Sequence, residues 1–385
     1  MEKRDTKKSS FDVAIVGGGP AGIMSALIAS ESGQKVVLIE KNRQLGKKFV
    51  LTGNGRSNIT NAEFNLKKLV GNYNKGAEFL FHAFSIFGPK ETISFFEKLG
   101  IKTKIENNNR VFPISNDAKK VLEILTNKLL EKNVNIIFGT SVSDIILKGK
   151  KISKLIVDGS ENYSDILAKN FIICTGGKSY SPTGSDGFGY KLVEKLGHSI
   201  VKLMPALSPI KVKESWTKDI QGISLNSVRI SIFFDDKKQV SEDGEIMFTH
   251  FGITGPAIFN ISTKVGELLE KGKVKISLDL FPLLNQEEVL KELEDILVRY
   301  PNRTVKNVLS FFVPERLAEV LSTIAVVKKD KIANNMSKIE KGLIAKVLKN
   351  FYFTADEIFD FNQAMVTRGG VNLKEIDHKT MKSKI

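Results

Sequence analysis

Residues 11–41 read FDVAIVGGGPAGIMSALIASESGQKVVLIEK. Val13 to Val16 is a short, β-branched apolar run, the pattern of a strand buried on both faces of a parallel sheet. Gly17, Gly19 and Gly22 follow in G-x-G-x-x-G spacing. The first allows a tight turn, the second lets a diphosphate approach the backbone, and the third lets a helix sit close to the sheet. The predicted helix runs from Pro20 to Ser32. Pro20 lacks an N–H, but it falls in the first turn, where none is needed. The free amides of that turn, with the positive end of the helix dipole behind them, suit a diphosphate. Gly33 stops the helix and Val36 to Ile39 form a second buried strand. Glu40 ends it, 18 positions after Gly22, where an acid can accept hydrogen bonds from a ribose diol. A lone glycine triplet is weak evidence. Here strand, glycines, helix, strand and acid occur in order, and the expectation is a dinucleotide site rather than a chance Gly-rich turn.

The rest of the composition narrows the class. At 385 residues with 42% apolar content, the chain is expected to hold two or three domains with a large core. No apolar run approaches the ~20 residues of a membrane span, and the charged segment MEKRDTKKSSFD has no apolar stretch behind it to make a signal peptide. Cys174 is the single cysteine, which excludes an internal disulfide, a cysteine metal cluster and a C-x-x-C redox pair. The expected compartment is the cytoplasm. The formal charge of +15 raises the question of nucleic acid, but the lysines are scattered, with no block of five like charges. The expectation is a solvated basic surface without a nucleic-acid or membrane partner, one that favours anionic ligands. Oligomeric state leaves no mark in the sequence.

Along the chain, Lys41 to Asn61 (KNRQLGKKFVLTGNGRSNITN) is a donor-rich loop placed to close over a cofactor. Residues 78–99 read as two helices broken at Gly88-Pro89, their aromatics assigned to the core. Ile101 to Ile105 and Arg110 to Pro113 read as a hairpin, and Asp117 to Lys132 as an amphipathic helix. Residues 134–138, 142–148, 151–157 and 166–167 suggest a small antiparallel layer. Phe171 to Cys174 is a buried strand running into Thr175-Gly176-Gly177, which can return to the crevice beside the first strand. A polar Gly-rich loop then leads to a helix over Gly187 to Leu196. From His198, short strands at regular spacing, with turn signals at Asp235-Asp236 and Glu242-Asp243-Gly244, predict an inserted β-barrel or sandwich. Residues 285–348 are mainly helical, and 351–371 return to strands. The expected layout is a first domain over 1–197, a barrel over 198–280, a helical insert over 281–350, return strands over 351–371 and a tail, 372–385, heading back to the first domain.

A nicotinamide dehydrogenase usually follows its first motif with further β-α-β units. This chain follows it with a donor-rich loop, a T-G-G return and a large insertion, which suits FAD. The blocks VAIVGGGPAGIMSA, GKKFVLTGNGRSNITN, RVFPISNDA, TGGKSYSPTGSDGFGYKLVEKLGH, GEIMFTHFGITGPAI and VTRGGVNLKEI resemble, in order, the BaiN/RdsA-like NAD(P)/FAD-dependent flavoproteins, also labelled aminoacetone-oxidase-like. The resemblance spans nearly the whole chain. It implies an α/β, Rossmann-like FAD domain of the glutathione-reductase type with an inserted β-barrel that itself carries a helical insertion. It implies FAD contacts at Gly17, Gly19, Ala21, Gly22, Glu40, Lys41, Lys48, Thr52, Gly53, Arg56, Asn58, Val142, Thr175 and Gly176. Ser57 stands where that family often has Cys. The family also continues past the position of Ile385 into a strand and an acidic-glycine block beside the flavin. The expectation is therefore a C-terminally truncated chain, or a cofactor site without its last clamp.

The expected function is FAD-dependent, NAD(P)H-linked reduction of a small unsaturated or carbonyl compound. The alternatives are an amine or aminoketone oxidase using O₂, and a flavin-deficient remnant. Of the four histidines, His250, in the turn FTHFGITGP, is the candidate acid or base, against a structural role bonding the loop backbone. His82 and His198 are expected at the surface. Tyr180 is a second candidate donor.

Overall fold

The structure is a computed structural model that describes residues 10–73 and 76–385. Most of the charged segment before Asp12 therefore lies outside the described residues. The chain divides into two compact units, one running to Leu203 and resuming at Gly369–Ile385, the other Met204–Arg368.

The first unit opens with β1 (Ser10–Val16), α1 (Pro20–Glu31) and β2 (Val36–Ile39). It continues through β3 (Thr60–Asn61), α2 (Leu66–Gly71), α3 (Ala77–Ile86), α4 (Pro89–Lys98), β4 (Thr103–Glu106), β5 (Arg110–Pro113) and α5 (Ala118–Glu131). Then follow β6 (Asn135–Ile137), β7 (Ser141–Lys148), β8 (Lys151–Asp158), β9 (Asp165–Ile173) and α6 (Phe188–Lys195). Its main sheet has the order β6-β2-β1-β9-β8-β7. β1 lies parallel to β2, with Ile15 opposite Leu38, and to β9, with Val16 opposite Ile173. All four residues of β2 are at most 1% exposed, which is why the strand reads as an unbroken apolar run rather than an alternation. Against this sheet α1 buries Gly22, Ile23, Ala26 and Leu27, one stripe at helical spacing.

Three expectations need correction here. Residues 142–148, 151–157 and 166–167 do pair antiparallel, within β7, β8 and β9, but as an extension of the main sheet, and residues 134–138 fall outside that layer: β6 joins the sheet on its other side, parallel to β2. β-Propensity marks a strand but not the partner it pairs with. The aromatics of residues 79–87 are not core, since α3 buries none of its residues; Phe81 is 43% and Phe87 41% exposed. Helical periodicity reports an apolar face, not what covers it. His198 is buried, not superficial, with Nδ1 3.0 Å from Glu375 Oε2 and Nε2 2.9 Å from Ser383 Oγ. The tail belongs with the first unit.

The strands β10 (Ile200–Ala206) and β17 (Val366–Val371), which contain the unit boundaries, pair with one another. Within the second unit, β11 (Ile210–Val212), β12 (Ser224–Phe234), β13 (Lys237–Thr249), β14 (Gly252–Thr254), β15 (Val274–Asp279) and β16 (Phe351–Ile358) close into a barrel. The helix α7 (Pro256–Leu269), which the periodicity reading passed over, buries Ile258, Ile261, Val265 and Leu268 against it. The helices α8 (Gln286–Arg299), α9 (Val305–Leu309), α10 (Glu315–Ile324) and α11 (Lys338–Lys349) are inserted between β15 and β16. Asp235 and Asp236 do turn the chain, both with left-handed φ. Glu242-Asp243-Gly244 does not. It runs through the 13-residue β13, with Glu242 opposite Ile230 and Gly244 opposite Val228, because partner-strand hydrogen bonds outweigh local turn preference. Trp216 seals the barrel core against Phe351, with ring centroids 4.9 Å apart, and Phe353 at 5.8 Å. The architecture is thus an α/β Rossmann-like unit with an inserted closed β-barrel carrying a helical insertion. Among the described residues no helix is long and apolar enough to cross a membrane.

Candidate cofactor site

The C-terminal edge of the parallel strands opens on a cavity of about 750 Å³ that lies wholly within the first unit. Its floor is the turn from β1 into α1. An added Cβ on Gly22 would lie 1.8 Å from the Gly17 carbonyl oxygen, so the helix can start this close to the turn only with glycine there. An added Cβ on Gly17, at φ +104, would lie 2.4 Å from the Cys174 carbonyl oxygen. No side chain caps α1 and no acid occupies its first turn. Gly17 to Ala21 instead line the cavity, and unoccupied helix amides are an anion site.

Glu40 is 7% exposed and is built into this floor. Its Oε2 accepts from the Gly18 N–H at 2.7 Å, and its Oε1 from the Asn42 backbone N–H at 2.8 Å and the Asn42 Nδ2 at 2.7 Å. A carboxylate has about four acceptor positions, so one is left for a ligand hydroxyl. The same Asn42 Nδ2 donates to the Thr183 carbonyl at 3.1 Å.

Residues 176–187 cross over as a strap tied to the loop after β2. Lys41 Nζ meets Asp186 Oδ2 at 2.8 Å, Lys47 Nζ donates to the Pro182 carbonyl at 2.8 Å, and Lys48 Nζ donates to the Ser179 carbonyl at 2.6 Å. Burial lowers the Lys48 pKa from its ordinary value. Burial would raise that of Asp186, but the Lys41 ammonium and the Phe188 N–H outweigh it and hold the carboxyl below its usual range. Cys174 also lines the cavity. Burial pushes its thiol pKa up, which disfavours the reactive thiolate.

Of the residues that the resemblance implied, Gly17, Gly19, Ala21, Glu40, Lys41, Lys48, Val142, Thr175 and Gly176 come together on the cavity wall, with Gly22 behind them in the helix. Thr52, Gly53, Arg56 and Asn58 do not line it. Arg56 lies 3.9 Å over the Phe112 ring and its Nη1 donates to both Glu106 oxygens at 3.1 Å, and an added Cβ on Gly53 would meet both Phe112 and Asn58. Between Arg56 and Asn58, Ser57 is fully buried at φ +64, and its hydroxyl has no hydrogen-bond partner among the described residues. His250 lies in the second unit, at the turn between β13 and β14, with its ring 4.9 Å from Phe251. Tyr180 sits in the strap at φ +51 and does not line the cavity.

The chain's residues fit an adenine dinucleotide. Gly19 is open: a Cβ added there would meet no protein atom within 4 Å, leaving room where a diphosphate would press on the backbone. The walls add a ribose-height carboxylate and lysines. Sequence reading missed Asn42, Lys47, Ser141, Ser143, Asp158, Asp186 and Phe188 on the same wall. Asn42, two residues past the acid, could have been found as a local side-chain-to-backbone motif. Ser141 and Asp158 face each other only through the register of β7 and β8, which no local pattern shows.

The chain is similar to several known proteins. Over 375 residues the chain is 29% identical to the 3-dehydro-bile acid delta(4,6)-reductase of Clostridium scindens, covering 97% of this chain and 89% of that protein. It is 26% identical over 377 residues to the ribosomal RNA dihydrouridine synthase of Escherichia coli, covering 97% and 88%. Among solved structures, the 3-ketosteroid-delta4-(5alpha)-dehydrogenase of Rhodococcus jostii is similar with TM-score 0.48 at 11% identity, over 99% of this chain and 90% of that one. The HI0933-like protein Rossmann domain matches residues 11–385. The chain belongs to the HI0933-like family of Rossmann-fold, FAD- and NAD(P)-linked oxidoreductases.

Proposed function

We propose that this protein is a cytoplasmic, FAD-dependent enzyme that reduces a carbon–carbon double bond conjugated to a carbonyl, with NAD(P)H as the electron source. The observation that carries the reading is the uncapped start of α1 opening, through Gly19, on a dinucleotide-sized cavity. FAD, when bound, supplies the hydride chemistry. The chain's own part is to hold and shield it. Gly17 and Gly18, whose N–H groups are engaged by Ile39 and Glu40, shape the turn; the amides of Gly19 and Ala21 take the diphosphate, Glu40 takes a ribose hydroxyl, and Lys41 and Lys48 add positive charge. Gly22 lets the helix close on the turn, and Val142, Thr175 and Gly176 wall the space. Thr52, Gly53, Arg56 and Asn58 belong to the site by resemblance and complete it around the buried hydroxyl of Ser57. His250, in the turn between β13 and β14 of the second unit, is the candidate acid or base.

The names of the two relatives support the class of reaction, since a delta-4,6 reductase and a dihydrouridine synthase both saturate a ring double bond. The test is spectroscopic. Purified protein should carry or take up FAD and be bleached by NADH or NADPH without oxygen, and an enone should restore the colour. Peroxide release from an amine, without any need for nicotinamide, would favour the oxidase instead. Protein that neither carries nor takes up FAD would end both readings.

A second reading takes a uracil base in RNA as the substrate. It is favoured by the E. coli relative and by an uneven charge: the sequence of the first unit holds 35 Lys and Arg against 21 Asp and Glu, and that of the second 23 against 22. It predicts RNA binding that falls steeply with salt and nicotinamide-dependent formation of dihydrouridine. A small enone reduced with no affinity for RNA would dismiss it.

A further inference from the structure

Beyond the acid at the end of β2, the cavity continues between the start of β7 and the start of α6. Its sides there are apolar, with Val142 5% and Leu192 4% exposed and Phe188 partly open. Ser141, Ser143 and Asp158 stand along the same stretch. Asp158 is held there by the pairing of Ser141 with Asp158 and by Gly159, whose backbone at φ +90 runs so near the Gly139 carbonyl that an added Cβ would lie 2.4 Å from it.

Three carboxylates line the cavity. Glu40 is engaged by Gly18 and Asn42, and Asp186 by Lys41 and the Phe188 N–H. Asp158 has no side-chain partner among the described residues. A carboxylate only accepts hydrogen bonds. An apolar stretch of wall in the cavity that holds Glu40, with one unused acceptor beside it, is complementary to an aromatic base that presents a donor. We propose that Asp158 accepts a hydrogen bond from the exocyclic amine of the cofactor's adenine and so sets the preference for that base. The proposal rests on the dinucleotide reading of the cavity.

The experiment uses the full chain freed of bound nucleotide, with ADP and purine-riboside 5′-diphosphate as probes, measured by titration calorimetry. The two ligands differ only in the amine. The wild type should bind ADP about tenfold more tightly, the low end for a hydrogen bond to a charged group because Asp158 is open to solvent. Asp158→Ala should erase the difference by weakening ADP alone, and Asp158→Asn, which keeps an acceptor oxygen, should restore part of it. A thermal melt matching wild type confirms that both variants are folded. Equal affinity for the two ligands, a preference unchanged in Asp158→Ala, or tighter binding of GDP than of ADP would overturn the role of Asp158 while leaving the dinucleotide site standing. Failure of any nucleotide diphosphate to bind would overturn both.

Discussion

Gly19→Ala and Gly22→Ala, compared side by side, test where the diphosphate lies. At Gly19 the backbone is extended (φ −79, ψ −175) and an added methyl meets no protein atom within 4 Å. Alanine adopts that conformation freely, so stability should stay within about 0.5 kcal/mol of wild type. The methyl nevertheless stands where a phosphate would touch the backbone. Displacing the phosphate weakens charge-assisted hydrogen bonds to the helix amides, each worth roughly 1.5–3 kcal/mol. Loss of one or two of them predicts that ADP or FAD binds about 100-fold more weakly, or about 3 kcal/mol. At Gly22 the same methyl lies 1.8 Å from the Gly17 carbonyl oxygen. Backbone faces backbone there, so helix and turn must part by roughly 1 Å, an overpacking cost of about 1–3 kcal/mol or more. Gly22→Ala should therefore lower both stability and affinity. Urea denaturation and calorimetric titration with ADP separate the two effects. Wild-type affinity in folded Gly19→Ala would refute the placement of the diphosphate at this helix.

Four further outcomes follow from the structure. Glu40→Gln sets an amide NH₂ against either the Gly18 N–H or the Asn42 donors and should cost about 1–3 kcal/mol, read as a lower urea midpoint even without ligand. Ser57→Ala removes a buried hydroxyl with no partner and should raise the melting free energy by about 1 kcal/mol; a drop in FAD affinity in that variant would show that the ligand supplies the missing partner. The Lys331 ammonium and the Ser337 cap push the Glu340 carboxyl down to about 2 from its ordinary 4.5. Its contribution is therefore present above pH 4.5 and lost as pH falls toward 2, and Glu340→Gln should show a flatter stability profile in that window. Phe351→Ala empties a fully buried site beside Trp216 and should cost about 3–5 kcal/mol, with intrinsic Trp216 fluorescence as the probe.

The parts of the fold that could be read in advance are those governed by neighbours in sequence. β1, α1 and β2 followed from an apolar run, three glycines and the stop at Gly33, and the break between α3 and α4 from Gly88-Pro89. The barrel strands followed from their regular spacing and the turn signal at Asp235-Asp236, which the structure shows as a left-handed turn. Where reading failed, a distant partner decided. Glu242 to Gly244 looks like a turn and is held in a strand by residues 228–230. β6 looks like any short strand and is drawn to the edge of β2. α3 looks like a core helix and stays partly open.

The candidate site divides in the same way. Chain order alone determined that a glycine turn, a helix start and an acid-ended strand would meet, because a β-α-β unit brings its own ends together. Tertiary structure decided what surrounds them: the strap that engages Lys41, Lys47 and Lys48, the anchoring of Glu40 by the Gly18 N–H, and the arrival of Asp158 at the wall. Those contacts join residues about 20 to 145 positions apart, by the spacing of Gly18 from Glu40 and of Lys41 from Asp186. Local preference cannot specify them, since strand register and packing set which side chains share a surface only after the whole unit has folded.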